Sequence, residues 1–377
     1  MERISSTPRQ GWQKTVESQG LLYHTPEGNP YWDESAYYQF SMKQIELIES
    51  TTNELYELYL NAAQHVIDTN RFAELGIPER VIPYIKKTWD SEPPSVYGRF
   101  DLAYNGTEHP KLLEFNADTP TGLLEAAVIQ WYWKEDCFKS SDQFTSIHEK
   151  LIEQWKSIAQ YIPDEAIYFV HMDDYEDWMT VSYLRDTASQ AGISSYALLM
   201  EEIGWNRDDK TLRDLTERQI TAAFKLYPWE WLINEIPQGG EESFHSSLWI
   251  EPIWRMLWSN KGMLAVLWEL NPGHPALLEA HIGSPSGLQS YAQKPIFSRE
   301  GSNVTIVDGA RSTERSGPYG GEGYVFQALA PIPEFSGNFP ILGSWYITDQ
   351  GAAGMGIRES SSIITDNLSR FVPHIIS

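Results

Sequence analysis

Apolar and functional side chains alternate with period two in two neighbouring runs, YGRFDLAY (97–104) and KLLEFNADTPTG (111–122), separated by a polar stretch that opens Asn105-Gly106. Period two is the signature of a half-buried strand, so the runs predict a β-hairpin. With the turn centred between residues 107 and 108, Asp101 lies opposite Glu114 and Arg99 opposite Asn116. Residues 34–74 instead carry apolar positions at helical spacing without internal proline or glycine, which predicts one long helix or two shorter ones. Beyond the hairpin a helix is expected over 120–133, opening at Thr119 or Thr121. An α/β alternation follows: helix near 143–161, strand 166–170, helix near 176–191, the turn Gly192-Ile193 and strand 195–200. Between 225 and 270 tryptophans crowd the chain (Trp229, Trp231, Trp249, Trp254, Trp258, Trp268) and read as a wall of core or pocket. Toward the C-terminus short β-like runs are expected at 303–307, 323–328, 341–347 and 362–365. No internal repeat or low-complexity linker is visible.

At 377 residues and 41% hydrophobic, the chain is long enough for several packed lobes. The single cysteine, Cys137, excludes an intramolecular disulfide and a cysteine-based zinc cluster, and reads as a packed residue of a reducing compartment. No apolar run approaches the roughly 20 residues of a membrane span, and the start MERISSTPRQGWQK lacks a secretory apolar stretch, so a cytoplasmic location is expected. Twenty-eight basic against 52 acidic residues, a net charge of −24, argue against a nucleic-acid or acidic-lipid partner. A nucleotide would need its cations gathered locally.

The hairpin face supplies the first candidate chemistry. Two carboxylates, an amide oxygen and a guanidinium (Asp101, Glu114, Asn116, Arg99) share a patch suited to metal-bound phosphate, and a helix opening at Thr119 or Thr121 would add amide donors. A second, basic set stands beside or within two residues of glycine or proline: Lys261, Lys294, Arg299 and Arg358 are phosphate grips or ordinary solvated charges. The glycine-rich segment 308–324 (DGARSTERSGPYGGEGY) reads either as a lid over phosphates or as a surface loop. In the acidic stretch 171–177 (HMDDYED) several carboxylates can bind an ammonium group, while Asp173 or Asp174 can cap the following helix. His274 and His281 lack further ligands for zinc, and Ser284-Pro285-Ser286-Gly287 lacks the flanks of a nucleophile elbow.

The blocks YGRFDLAY, KLLEFNADTPTGLLEA, SNKGMLAVLWELNPGHPALLEA, QKPIFSREGSNV, PILGSWYI and GMGIRESSSIIT fall in an order that resembles the synthetase domain of the glutathionylspermidine synthase family. The resemblance implies an α+β, ATP-grasp-type ligase fold with a rearranged lobe order, the metal-binding hairpin preceding the lysine-bearing lobe. One synthetase unit over 1–377 is expected, with a helical scaffold and hairpin over about 1–140, an α/β substrate-side lobe over about 141–250 and a lysine and lid region over about 251–377. No amidase domain is expected. The resemblance places Asp101, Glu114 and Asn116 on magnesium ligands for a pair of Mg2+ ions. Arg99 falls on a phosphate-contacting arginine, Lys261 and Lys294 on ATP-binding lysines, and Arg299 and Arg358 on arginines near the reacting phosphoryl group. Thr119 falls on a position that contacts the acid, and Asp173 and Asp174 lie near the family's polyamine pocket. Where the family's asparagine motif often continues with serine, this chain has Asp118-Thr119-Pro120-Thr121, which bears on peptide specificity. The implied activity is ATP-dependent joining of a small, peptide-like carboxylate to a small, polyamine-like amine through an acyl phosphate. Two other classes compete with it: a nucleotide- or amine-binding protein without ligation, and a metal-dependent phosphohydrolase in which Lys261 and Lys294 would be idle.

Overall fold

The computed structural model describes residues 1–236, 240–365 and 369–377. Its longest helix, Met42–Thr69, opens on a capping box in which Ser41 and Gln44 satisfy each other's backbone amides. Ile45, Ile48, Leu55, Tyr59, Ala62 and Val66 face inward from it at helical spacing. The expected helical start near residue 34 is corrected: Ala36–Phe40 is a strand between Glu2–Ser5 and His374–Ile376. Its aromatic side chains fill the sheet surface, and Ser41 stops it by capping the helix.

The hairpin forms with the expected register at its functional end. Strands Tyr97–Ala103 and Lys111–Asn116 pair Arg99 with Asn116 and Asp101 with Glu114. Beyond Asp101 the register shifts, so that Leu102 faces Leu112 and Leu113 bulges out. The hairpin is the edge of a five-stranded antiparallel sheet completed by Phe339–Ile347, Gly351–Ser360 and Arg370–Val372. A strand over 362–365 does not form; the long strand lies just before it. Ser360 Oγ donates to the Ser362 carbonyl at 2.8 Å and accepts from Ser362 N at 2.9 Å, and Ser362 Oγ accepts from Ile364 N at 3.2 Å. These hydroxyls take the backbone groups a ladder would need.

The helix after the hairpin also starts later than expected. Residues 123–137 are helical, with a π-turn at Glu125–Ile129 leading into Gln130–Cys137. Gly122 is left-handed (φ 81°), the Pro120 carbonyl accepts from the Tyr97 hydroxyl at 2.9 Å, and the Thr121 carbonyl accepts from Arg99 Nη1 at 2.6 Å. The segment thus turns carbonyls, not a helix's free amides, toward the hairpin.

The α/β alternation is a four-stranded parallel sheet in the order Leu248–Ile250, Ala222–Leu226, Ala166–His171, Ser194–Leu199. Helix Tyr175–Gln190 packs on it, and helix Ile147–Ile158 packs on that helix and reaches the sheet through Trp155 against Phe169. A second five-stranded antiparallel sheet runs Ala280–Ile282, Tyr324–Ala328, Ser290–Pro295, Thr305–Asp308, Arg311–Glu314. The segment 308–324 is therefore not wholly a loop: Asp308 pairs with Arg311 in a hairpin, and only the stretch after Glu314 lacks a strand until Tyr324. Trp229, Trp254 and Trp258 are buried in the larger of two main cores, which spans the long helix, the hairpin and the parallel sheet. Among the described residues no helix is long and apolar enough to cross a membrane.

Candidate active site

Glu251 fixes where the hairpin begins: its Oε1 accepts from Val96 N at 2.8 Å and Tyr97 N at 3.2 Å, and its Oε2 pairs with Arg255 at 3.0 Å. Two residues on, Arg99 is buried and grips Asp101 with both arms, Nε to Oδ1 at 2.7 Å and Nη2 to Oδ2 at 3.0 Å. Asn116 Nδ2 donates to Asp101 Oδ2 at 3.2 Å and to Glu114 Oε1 at 3.3 Å. One amide thus gathers both carboxylates at one point.

The lysine-bearing sheet closes over that point. Lys261 Nζ lies 3.1 Å from Glu114 Oε2 and donates to the Ser298 carbonyl at 2.7 Å. Lys294 Nζ donates to the Leu113 carbonyl at 2.9 Å and to Gln327 Oε1 at 2.7 Å. Burial alone would raise the Glu114 pKa, but Lys261 and Lys294 pull it down to about 2. Burial lowers Lys294 to about 8 against the opposing attraction of Glu114. Both lysines, Asp101 and Glu114 line a slot of 170 Å³ whose other walls include Ala292, Ile306, Ile341 and Ile364.

A second cavity, of 380 Å³, meets the slot at Asp101, Glu114, Gly301 and Thr365. Arg99, Arg299 and Arg358 all line it, as do Asn116, Thr119 and Asp174. Arg299 is oriented by Glu230 at 2.9 Å and by the Thr119 hydroxyl. Arg358 projects from Gly351–Ser360 opposite Ile341. Asp174 is the N-cap of helix Tyr175–Gln190, accepting from Glu176 N at 2.9 Å and Asp177 N at 3.3 Å. Asp173 lies apart from Thr119: it lines a neighbouring pocket of 540 Å³ with His171, Trp178 and Glu202, which meets the cavity at Asp174 and Tyr175.

Ten of the eleven sequence candidates therefore converge on two joined cavities, and Asp173 sits at their outer margin. Sequence reasoning missed Glu230 and Gln327, and it placed Trp231 in the tryptophan wall and Glu176 and Asp177 in the acidic stretch without singling them out. Asp177 was visible within the acidic stretch; burial, then Asp174, raises its carboxyl to about 7. Glu230, flanked by two tryptophans, and Gln327, inside a strand, carry no local signal. His274 and His281 turn to separate carboxylates, Glu54 at 3.1 Å and Glu279 at 2.9 Å.

The family model described as "Glutathionylspermidine synthase preATP-grasp" matches residues 3–377. A Haemophilus influenzae protein provisionally named an acid–amine ligase is 38% identical over 396 residues, covering 99% of this chain and 99% of its own. Trypanothione synthetase of Crithidia fasciculata is 28% identical over 344 residues, 83% of this chain and 52% of its own. Among solved structures, a glutathione synthetase-like effector of Globodera pallida covers 99% of this chain and 98% of its own with a TM-score of 0.60 at 11% identity, a likeness of fold alone.

Proposed function

Since the chain belongs to the glutathionylspermidine synthase preATP-grasp family and has its α+β, ATP-grasp-type fold, we propose that it is a ligase that uses ATP and magnesium to join a peptide-like carboxylate to a polyamine-like amine. The observation that carries this reading is the meeting of an apolar slot with a charged cavity at Asp101 and Glu114. The slot suits a purine base, with Lys261 and Lys294 in its wall for the phosphates. The charged cavity suits the acid, with Arg99, Arg299 and Arg358 converging where a phosphoryl group would pass.

Two carboxylates and an amide within hydrogen-bond reach of one another form a hard-donor set, so Asp101, Glu114 and Asn116 would hold magnesium, which would neutralise phosphate charge. The protein's own groups carry the rest. The carboxylate oxygen of the acid attacks the γ-phosphorus of ATP, the bond to the bridging oxygen breaks and ADP leaves. Arg299, fixed by Glu230 and Thr119, and Arg358 balance charge on the transferring oxygens. The amine then attacks the acyl carbon, phosphate leaves, and Asp177 takes the proton the new amide sheds. Asp173, Asp174 and Glu202 line the approach by which a cationic amine would arrive. A phosphohydrolase would leave Lys261 and Lys294 without a task, whereas both line the slot.

The test is magnesium-dependent ADP release by the purified protein against pools of thiol peptides and polyamines, with mass spectrometry on each stimulated mixture. A product of mass acid plus amine minus water, formed with ADP and absent with Glu114→Ala, is expected. Phosphate release without an acceptor, or full activity in a folded Glu114→Ala protein, would overturn it.

A further inference from the structure

Helix Tyr175–Gln190 starts at the candidate active site, and its later turns wall a separate cavity of 550 Å³ that shares no lining residue with that site's main cavity. Trp131, Tyr132, Trp178 and Tyr183 form its aromatic side, and Glu149 and Asp186 its acidic side. Among the described residues no lysine or arginine lines it and neither carboxylate has an ion-pair partner, although Asp186 Oδ2 accepts from Gln190 Nε2 at 2.8 Å. Trp131, Tyr132 and Trp178 are 38%, 49% and 45% exposed, so a large aromatic area faces the opening uncovered. Trp131 already holds one cation against its ring, Lys134 Nζ at 3.8 Å from the centroid. Tyr183 is fixed by His148 at 3.0 Å; burial, then Glu149 and Asp186, pushes its hydroxyl up, so both carboxylates bear on the same phenol. Gln19, on the same wall, has a buried Oε1 with no hydrogen-bond partner, an acceptor suited to an N–H donor.

We propose that this cavity binds a small organic cation, a protonated aliphatic amine, with its ammonium group between Glu149 and Asp186 and its alkyl chain against Trp131, Tyr132 and Trp178. Aromatic faces attract a cation through their quadrupole, and carboxylates without a cationic partner supply the charge. The volume lies within the roughly 300–1,000 Å³ of small-molecule sites. This site lies behind the helix whose N-terminus carries Asp174, Glu176 and Asp177, and it meets the amine approach of the ligase reading only at Trp178.

Isothermal titration of the whole chain with 1,4-diaminobutane, without nucleotide, tests it. Saturable binding is expected, weakened about tenfold or more in Glu149→Gln/Asp186→Asn and in Trp131→Ala, and absent for 1,4-butanediol, which lacks charge. Asp173→Asn/Glu202→Gln, which alters the acidic pocket on the reaction side, should keep it. Unchanged affinity in either cavity variant with wild-type circular dichroism, equal binding of the diol, no binding at all, or a loss confined to Asp173→Asn/Glu202→Gln would overturn the proposal. None of these readouts depends on turnover, so the ligase reading stands or falls separately.

Discussion

Lys294 Nζ donates to the carbonyl oxygen of Leu113, 2.9 Å away, and Leu113 is the residue that bulges between the hairpin strands. The irregularity in one sheet is therefore what a lysine of the other sheet holds. Gln327 Nε2 adds a second tie to the neighbouring Leu112 carbonyl at 2.9 Å. The bulge also breaks the alternation that would put Leu113 and Glu114 on opposite faces, and both line the apolar slot. Anchoring of the two sheets and placement of the carboxylate beside the lysines are one feature.

Lys294→Met keeps the length and removes the charge. It leaves the half-buried Leu113 carbonyl without its donor, which costs about 1–3 kcal/mol. ADP release is expected to fall about 100-fold or more, because a positioned charge at the phosphates is lost. Urea unfolding and a coupled ADP assay on the same preparation check both effects. Turnover within threefold of wild type would remove Lys294 from the nucleotide site.

The pH dependence of ATP binding follows from the same lysine. Burial holds its pKa near 8, so Lys294 is an ammonium below that pH and increasingly a neutral amine above it. Phosphates favour the ammonium form, so ATP affinity should fall as pH rises through about 8, by up to tenfold per unit, and binding at pH ~8.5 should take up as much as about three quarters of a proton. Glu114, held at about 2, stays ionised throughout this range. Calorimetry in two buffers of different ionisation enthalpy measures the uptake. A constant affinity from pH ~7 to ~9.5 would show that Lys294 does not meet the phosphates.

The hairpin register was legible because a strict period of two flanks a polar turn, and the parallel sheet because apolar strands alternate with helical segments. Gly351–Ser360 was missed because AAGMGI contains residues that disfavour strands. Packing decides there: a Cβ on Gly356 would overlap the Phe371 ring, so the glycine is what lets strand and ring approach. Partners far apart in sequence were equally hidden. Nothing local links Arg299 to Glu230, 69 residues earlier, and a one-residue bulge at Leu113 leaves no mark in the hydrophobic pattern.

Asp177 lines the cavity with a carboxyl raised to about 7, first by burial and then by Asp174. Only its ionised form accepts a proton, so amide formation should rise with pH through about 7. Asp177→Asn should slow the amine-dependent step about 100-fold or more and flatten that rise, with ATP affinity unchanged. Single-turnover product formation from pH ~5.5 to ~8.5 reads both. A wild-type profile in the variant would remove Asp177 from proton transfer.

Asp118 opens the stretch Asp118-Thr119-Pro120-Thr121, and its carboxylate is not turned to the cavity. It pairs with Lys225 in the parallel sheet, both side chains being buried. Lys225 also donates to the Tyr227 carbonyl at 3.0 Å, and Asp118 Oδ2 accepts from Trp229 N at 2.9 Å. The pair therefore ties the loop after the hairpin to the sheet that carries the acidic stretch. Thr119, the next residue, bonds Arg299, so the tie also sets where that arginine sits. Removing one partner strands a buried charge: Lys225→Met or Asp118→Leu should each cost about 3–5 kcal/mol. Replacing both leaves no unpaired charge, so the double variant should lose far less than the sum, by about 1–3 kcal/mol of coupling in urea unfolding. Additive losses would mean the groups do not support each other. ADP release separates anchoring from stability: if the double variant regains its melting point but not its turnover, the ion pair is what holds Thr119 and Arg299 in register with the hairpin.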